Sequence, residues 1–239
     1  MAKAYFGFES LWGFSLPSSK FDEDYFYGVR SGYKTGYTWR TAGPLLLSQF
    51  KEVMLHSQYK SGHWLDAGCA KGFLLKIASR HGWKPHGFDV SAYAVGEARK
   101  NCPDAHLFVL NAEGRLPFED GFFEVITALE LIEHLKAPEN FLGEAYRILK
   151  PNGLLFITTP NVSSLFNSRA VRGFYKSLKY STPFDDETHV SYFDSELITK
   201  TLKRYKFSKV KIKYSWNSGR INLHLPRLLG WTLQAFAYR

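Results

Sequence analysis

The residues best equipped for chemistry in this 239-residue chain lie in two stretches. The first is Leu65-Asp66-Ala67-Gly68-Cys69-Ala70-Lys71-Gly72-Phe73. A short apolar run ends in a carboxylate, a turn of small residues follows, and apolar side chains then recur at helical spacing (Phe73, Leu74, Ile77, Ala78). Gly68 and Gly72 let the backbone come close to a ligand. The helix start beyond them offers unpaired N–H groups to an anionic group. A dinucleotide fingerprint needs Gly where Ala70 and Phe73 stand, and a phosphate loop ending in Gly-Lys-Ser/Thr is absent. The second stretch is Glu130-Leu131-Ile132-Glu133-His134, with potential ligands Glu130, Glu133 and His134 within about one turn and His189 as a distant fourth. Carboxylate and imidazole donors of this kind can hold Mg²⁺ or Mn²⁺. His134 and His189 are also the best candidates for a catalytic base. The plainer readings are a tight strand–helix connection for the first stretch and packing histidines for the second.

These residues need a frame to bring them together. Strand-like runs are expected at His63–Ala67, Lys84–Asp89, His106–Leu110, Phe122–Ala128 and Leu154–Thr159. Helical patterns separate them: Lys71 to His81, closed by Gly82; Ser91, as cap, to Asn101; and Pro138 to Leu149, followed by the Pro151-Asn152-Gly153 turn. Strands alternating with helices at this spacing imply a parallel sheet covered on both faces. Upstream, residues 1–42 are rich in aromatics (Tyr25, Tyr27, Tyr33, Tyr37, Trp39), and a helix is expected from Pro44 through Leu46, Leu47, Phe50, Val53 and Met54. Residues 161–192, including Pro183-Phe184-Asp185, break the rhythm and suggest a lid. A helix capped by Asp194 or Ser195 leads to a sixth strand, Phe207–Tyr214, and the tail from Trp231 is expected to be its antiparallel partner. The chain thus divides into an N-terminal cap and helix (1–60), an α/β core (61–160), a lid insertion (161–192) and a closing helix and strands (193–239).

Composition narrows the setting. Cys69 and Cys102 are the only cysteines, which argues against a disulfide framework or a cysteine zinc site and suits a reducing cytoplasm. The start of the chain lacks the pattern of a signal peptide, and no uncharged apolar run is long enough for a bilayer. Residues 1–160 carry 17 basic and 17 acidic side chains, whereas residues 161–239 carry 14 and 5, so the whole excess of +9 sits in the last third. That excess reads as a solvated lysine face (Lys200, Lys203, Arg204, Lys206, Lys209, Lys211, Lys213), with nucleic acid or another anion as the alternative partner.

The glycine turn resembles the first motif of the class I S-adenosylmethionine (SAM) methyltransferases, with Ala70 in place of the usual middle Gly. Ala70 must then take a backbone angle open to L-residues. The resemblance continues through Leu116-Pro117-Phe118-Glu119-Asp120-Gly121-Phe122-Phe123-Glu124-Val125-Ile126, Leu131-Ile132-Glu133-His134-Leu135, the run from Phe141 to Gly153, and Ile157-Thr158-Thr159-Pro160-Asn161. It spans about residues 63–160, with a looser echo at Thr188–Phe193 and from Trp231 onward. It implies a Rossmann-like α/β fold: a central, mostly parallel seven-stranded sheet with the last strand antiparallel, helices on both faces, and the N-terminal and lid segments over the carboxyl edge. It also implies roles. Asp66, Gly68, Cys69, Ala70 and Gly72 would approach the methionyl part of SAM. Asp89 and Val90 would meet the ribose, where a carboxylate can accept two hydrogen bonds from a diol. Asn111, Ala112 and Glu113 would meet the adenine, and Ala128 and Leu129 would form the inner wall. The small-RNA 2′-hydroxyl and ubiquinone-pathway O-methyltransferases look similar around Glu130, Glu133 and His134 and bind a divalent ion. The expected activity is methyl transfer to an oxygen or nitrogen of a small-molecule acceptor, of sugar, lipid or quinone type, with Tyr175, Tyr192 and Phe193 shaping its site. An RNA methyltransferase using the basic last third and a non-catalytic SAM-binding partner subunit are the alternatives.

Overall fold

The computed structural model describes residues 21–27, 36–177, 186–217 and 222–239. In chain order the elements are α1 (Glu23–Phe26), α2 (Trp39–His56), β1 (Gly62–Ala67), α3 (Phe73–Arg80), β2 (Trp83–Asp89), α4 (Ala92–Asn101), β3 (His106–Val109), β4 (Phe123–Leu129), α5 (Pro138–Ile148), β5 (Leu149–Pro160), α6 (Arg169–Ser177), α7 (Ser195–Arg204), β6 (Lys209–Asn217), β7 (Asn222–His224) and β8 (Thr232–Tyr238). The strands form one sheet in the order β3-β2-β1-β4-β5-β8-β6-β7. β1 to β5 run parallel, β8 lies antiparallel between β5 and β6, and the short β7 pairs antiparallel with β6. The seven expected strands and the reversed last strand are therefore present. β7, only three residues long, is an eighth that the sequence pattern does not announce.

Alternation along each strand feeds two cores. The row Leu65, Ile126, Leu155, Ala237 and Val210 crosses β1, β4, β5, β8 and β6 in register. It faces Phe141, Leu142, Ile198 and Leu202 of α5 and α7. The next row, through Trp64, Val125, Leu154 and Tyr238, faces Leu46, Phe50 and Val53 of α2 and Leu74 and Ile77 of α3. Phe50 stacks on Trp64 with ring centroids 5.5 Å apart. Both faces of the sheet are thus sealed, and a ligand must enter at an edge.

The elements differ from expectation in two places. α2 starts at Trp39 and contains Pro44, because Thr38 and Thr41 satisfy each other's backbone N–H groups in a reciprocal cap. β5 begins at Leu149, before the expected Pro151-Asn152-Gly153 turn. Phe123 pairs with Leu149 and Val125 with Leu154, so the extra residues of β5 bulge out and remain in the strand. Tyr33, Pro183, Phe184 and Asp185 lie outside the described residues, as does the side chain of Tyr175. Among the described residues no helix is long and apolar enough to cross a membrane.

Candidate active site

Both chemical stretches arrive at the carboxyl ends of the parallel strands, the edge at which open α/β sheets take ligands. After β1 the chain makes a compact turn. Gly68 (φ 71°), Ala70 (φ 47°) and Gly72 (φ 73°) all adopt left-handed backbone. The N–H groups of Gly68 and Cys69 both donate to the Phe88 carbonyl at 2.9 Å, which fastens the turn to β2. A Cβ on Gly72 would stand 2.9 Å from that of Ala98, so glycine is required there both by conformation and by the approach of α4. Ala70 takes the left-handed region that is narrow for an L-residue, and its N–H donates to Asp89 Oδ2 at 2.9 Å.

Asp89 ends β2 and organises this corner. Its Oδ1 accepts the Ser91 N–H at 2.9 Å, while the Ser91 hydroxyl caps α4 by accepting from Ala94 N–H. Burial pushes its carboxyl pKa up, and the N–H groups of Ser91, Ala70 and Val90 oppose that shift. Asp66 lies deeper. It is buried, accepts the Thr127 hydroxyl at 2.6 Å, and has its pKa raised to about 7, chiefly by desolvation. Its carboxyl therefore underpins the turn from within. Cys69 is likewise buried, and burial raises its thiol pKa well above the usual value.

After β3, Asn111 Oδ1 accepts the Glu113 N–H at 2.9 Å, and buried Ala112 joins the core between them. The Glu113 carboxylate accepts from Ala137 N–H at 2.6 Å and so holds the residue that precedes α5, a contact its neighbours in sequence give no hint of. At the end of β4, Ala128 is buried and Leu129 half-buried.

The acidic–histidine stretch follows at once. Glu130 has φ 49°, and its N–H donates to the Thr158 carbonyl and hydroxyl at 2.9 and 3.1 Å. Glu133 is buried and accepts the Thr159 hydroxyl at 3.0 Å, leaving its Oε1 without a partner; Glu130 Oε1 is also buried and unpaired. Burial raises both carboxyl pKa values, that of Glu133 further because Glu130 adds like charge.

The Glu133 carbonyl accepts from Val190 and Ser191 N–H at 2.8 and 2.9 Å, and this draws His189 onto the same spot. One donor atom from each of Glu133, His134 and His189 lies within 4.8 Å of the other two. Glu130 stands outside that trio, so the expected set is regrouped around His189. His134 Nδ1 lies 3.0 Å from the Thr188 hydroxyl and 3.3 Å from its carbonyl, while that hydroxyl donates to Asp186 at 2.6 Å. Both neighbours of Nδ1 are therefore acceptors, which assigns the proton to Nδ1 and leaves the Nε2 lone pair free. Burial, aided by His189, depresses the His134 pKa to about 4, and burial lowers that of His189. Both imidazoles are neutral at pH 7. Asp186 and Thr188, which set the tautomer, carry no local signal beyond the Thr188–Phe193 echo. Of the aromatics expected near an acceptor, Phe193 is buried in the core, and Tyr192 is exposed.

Comparison with known proteins identifies the family and the fold. Residues 39–212 match the methyltransferase domain family. A ubiquinone biosynthesis O-methyltransferase of Methylococcus capsulatus is 29% identical over 115 residues, covering 46% of this chain and 48% of that protein. One from Coxiella burnetii is 28% identical over 140 residues, covering 52% and 56%. The chain thus spans about half the length of the curated relatives it matches. Among solved structures, a SAM-dependent methyltransferase of Thermotoga maritima superposes with a TM-score of 0.63 at 19% identity, covering 84% of this chain and 91% of its own. Phosphoethanolamine N-methyltransferase 2 of Haemonchus contortus, in complex with S-adenosyl-L-methionine, gives 0.57 at 21% identity, covering 80% and 41%. The chain belongs to the methyltransferase domain family and shares the fold of the SAM-dependent methyltransferases among its structural neighbours.

Proposed function

We propose that this protein transfers the methyl group of SAM to an oxygen or nitrogen of a small-molecule acceptor. The observation that carries the reading is the convergence on one sheet edge of a left-handed glycine turn locked to Asp89 and a neutral histidine pair beside Glu133. SAM, when bound, supplies a methyl group activated by its sulfonium. In this reading Asp66, Gly68, Cys69, Ala70 and Gly72 form its cradle, Asp89 and Val90 take the ribose, Asn111, Ala112 and Glu113 the adenine edge, and Ala128 and Leu129 the inner wall. The protein's task is to align the acceptor lone pair and exclude water. His134, with Nε2 unprotonated, or His189 takes the acceptor's proton where the acceptor still holds one. Segment 161–192 serves as the lid and Tyr192 borders the acceptor.

An oxygen acceptor is favoured by the ubiquinone-pathway relatives. The donor set also fits a divalent ion: Glu130 and Glu133 each keep a buried oxygen without a partner, and two neutral imidazoles stand beside them. Glu133, His134 and His189, with Glu130 behind, would hold Mg²⁺ or Mn²⁺, whose charge would ease ionisation of an acceptor hydroxyl. RNA is less well supported, because Lys209 and Lys211 line a hollow with Asn152 and Tyr238 at the opposite edge of the sheet. The test is calorimetric titration with SAM, then labelled methyl transfer to phenolic, sugar and amine acceptors, with and without chelator. Binding followed by transfer supports the reading; no heat with SAM overturns it. Transfer that chelator leaves intact removes the metal.

A further inference from the structure

The aromatic segment ahead of α2 folds back onto the glycine turn, and what it meets there is Lys71. This lysine is only 6% exposed. Its Nζ lies 4.7 Å from the ring centroid of Tyr27, 5.6 Å from that of Tyr93 and 5.7 Å from that of Phe26. Among the described residues the ammonium forms no ion pair. Taking an ammonium out of water without a carboxylate is unfavourable. Ring faces offset part of that loss through their quadrupoles, and more so away from solvent.

The three rings come from two bodies. Tyr93 belongs to α4, which Ser91 ties to Asp89. Phe26 and Tyr27 belong to α1 and the residue closing it. Tyr25 and Phe26 also pack with Ala94, Ala70 and Tyr93. At its other end the segment reaches the histidines: Phe21 lies edge-on to Tyr25 at 5.0 Å and to His134 at 5.4 Å. The α1 segment therefore bridges the glycine turn and the Glu133–His134–His189 cluster, with Lys71 as its one charged anchor on the turn.

We propose that Lys71 is a positioning residue that latches α1 as a roof over the cofactor cleft and sets how long the cofactor is retained. The proposal rests on the reading above that SAM occupies the glycine turn. A ligand lying between Asp89 and His134 then leaves only when the ammonium slips out of its aromatic box.

The test is the rate at which S-adenosylhomocysteine leaves the full chain, followed by stopped-flow displacement. Lys71→Met keeps the length and apolar stem but removes the charge; it is expected to speed dissociation about tenfold. It should also raise KM for SAM without lowering kcat. Lys71→Arg, which retains a cation over the rings, is expected to stay within about threefold of the wild-type rate. Tyr27→Leu opens the box from the roof side, leaves the turn untouched, and should reproduce the faster release, which keeps the test decisive should Lys71→Met fold poorly. If wild-type protein binds S-adenosylhomocysteine and Lys71→Met and Tyr27→Leu release it at the wild-type rate, the latch is wrong. If Lys71→Arg releases it as fast as Lys71→Met, the charge is not the agent and the latch is again wrong. Wild-type protein that binds neither SAM nor its product overturns the site assignment, and that failure shows before any variant is made.

Discussion

Replacing Asp66 by Asn gives the most quantitative check on the interior of the site. The Asp66 carboxyl is raised from the ordinary 3.8 to about 7 by burial. Between those values the folded chain keeps a proton that the unfolded chain has lost. The wild type therefore loses stability as pH climbs through that interval and levels off above about pH 7. At about 1.4 kcal/mol per pKa unit the loss amounts to about 4 kcal/mol. Asn cannot ionise, yet its carbonyl can still accept the Thr127 hydroxyl that now reaches Asp66 at 2.6 Å. Urea unfolding of Asp66→Asn and wild type, followed by tryptophan fluorescence at steps from pH 4.5 to 8.5, gives a difference curve. Buried His86 and the half-buried His134 and His189, whose lowered pKa values act in the opposite sense, contribute equally to both proteins and cancel. The difference should climb in favour of Asn by about 3 kcal/mol between about pH 4.5 and pH 8.5. A flat difference curve would show that Asp66 is ionised and solvated, and the buried support for the turn would be wrong.

Other perturbations separate the parts of the site. Gly72→Ala combines left-handed backbone with a Cβ 2.9 Å from that of Ala98, and should lower unfolding stability by about 2 kcal/mol or more, read by thermal melting; an unchanged melt would refute the fit of α4 against the turn. Asp89→Ala should weaken SAM binding by about tenfold or more in calorimetry, since charged hydrogen bonds contribute about 1.5–3 kcal/mol each; equal affinity would take Asp89 out of the cofactor site. His189→Ala should reduce turnover by about a hundredfold while SAM affinity stays within about twofold; the reverse pattern would make it a cofactor contact.

Much of the fold is legible in the sequence because its signals are local. The run ending in Asp66, the glycines that follow and the helical spacing from Phe73 lie within one strand–turn–helix unit. Asp89, Ser91 and Pro138 mark strand ends and helix starts by residue type alone. What escapes is decided by distant partners. Pro44 looks like a first-turn proline until Thr38 and Thr41 set the start of α2 upstream. The Pro151-Asn152-Gly153 turn becomes part of β5 because β4 pairs on both sides of the bulge. Glu113 is expected beside the adenine, and only the fold reveals that its carboxylate also meets the start of α5. The metal-type trio includes His189 in place of Glu130 because the Glu133 carbonyl holds the backbone of residues 190 and 191. The proton on His134 depends on Asp186 and Thr188, which only tertiary structure brings near.

β8 is the last strand along the chain but the sixth across the sheet, wedged between two strands made earlier. During synthesis β5 and β6 each await a neighbour that has yet to emerge, so the nascent polypeptide presents two open edges until Tyr238 has cleared the ribosome. The exposed Lys209 and Lys211 on β6 are well placed to deter strand-to-strand sticking during that interval. Lys209 and Lys211 would then guard the β6 edge of newborn chains, independently of any ligand they attract.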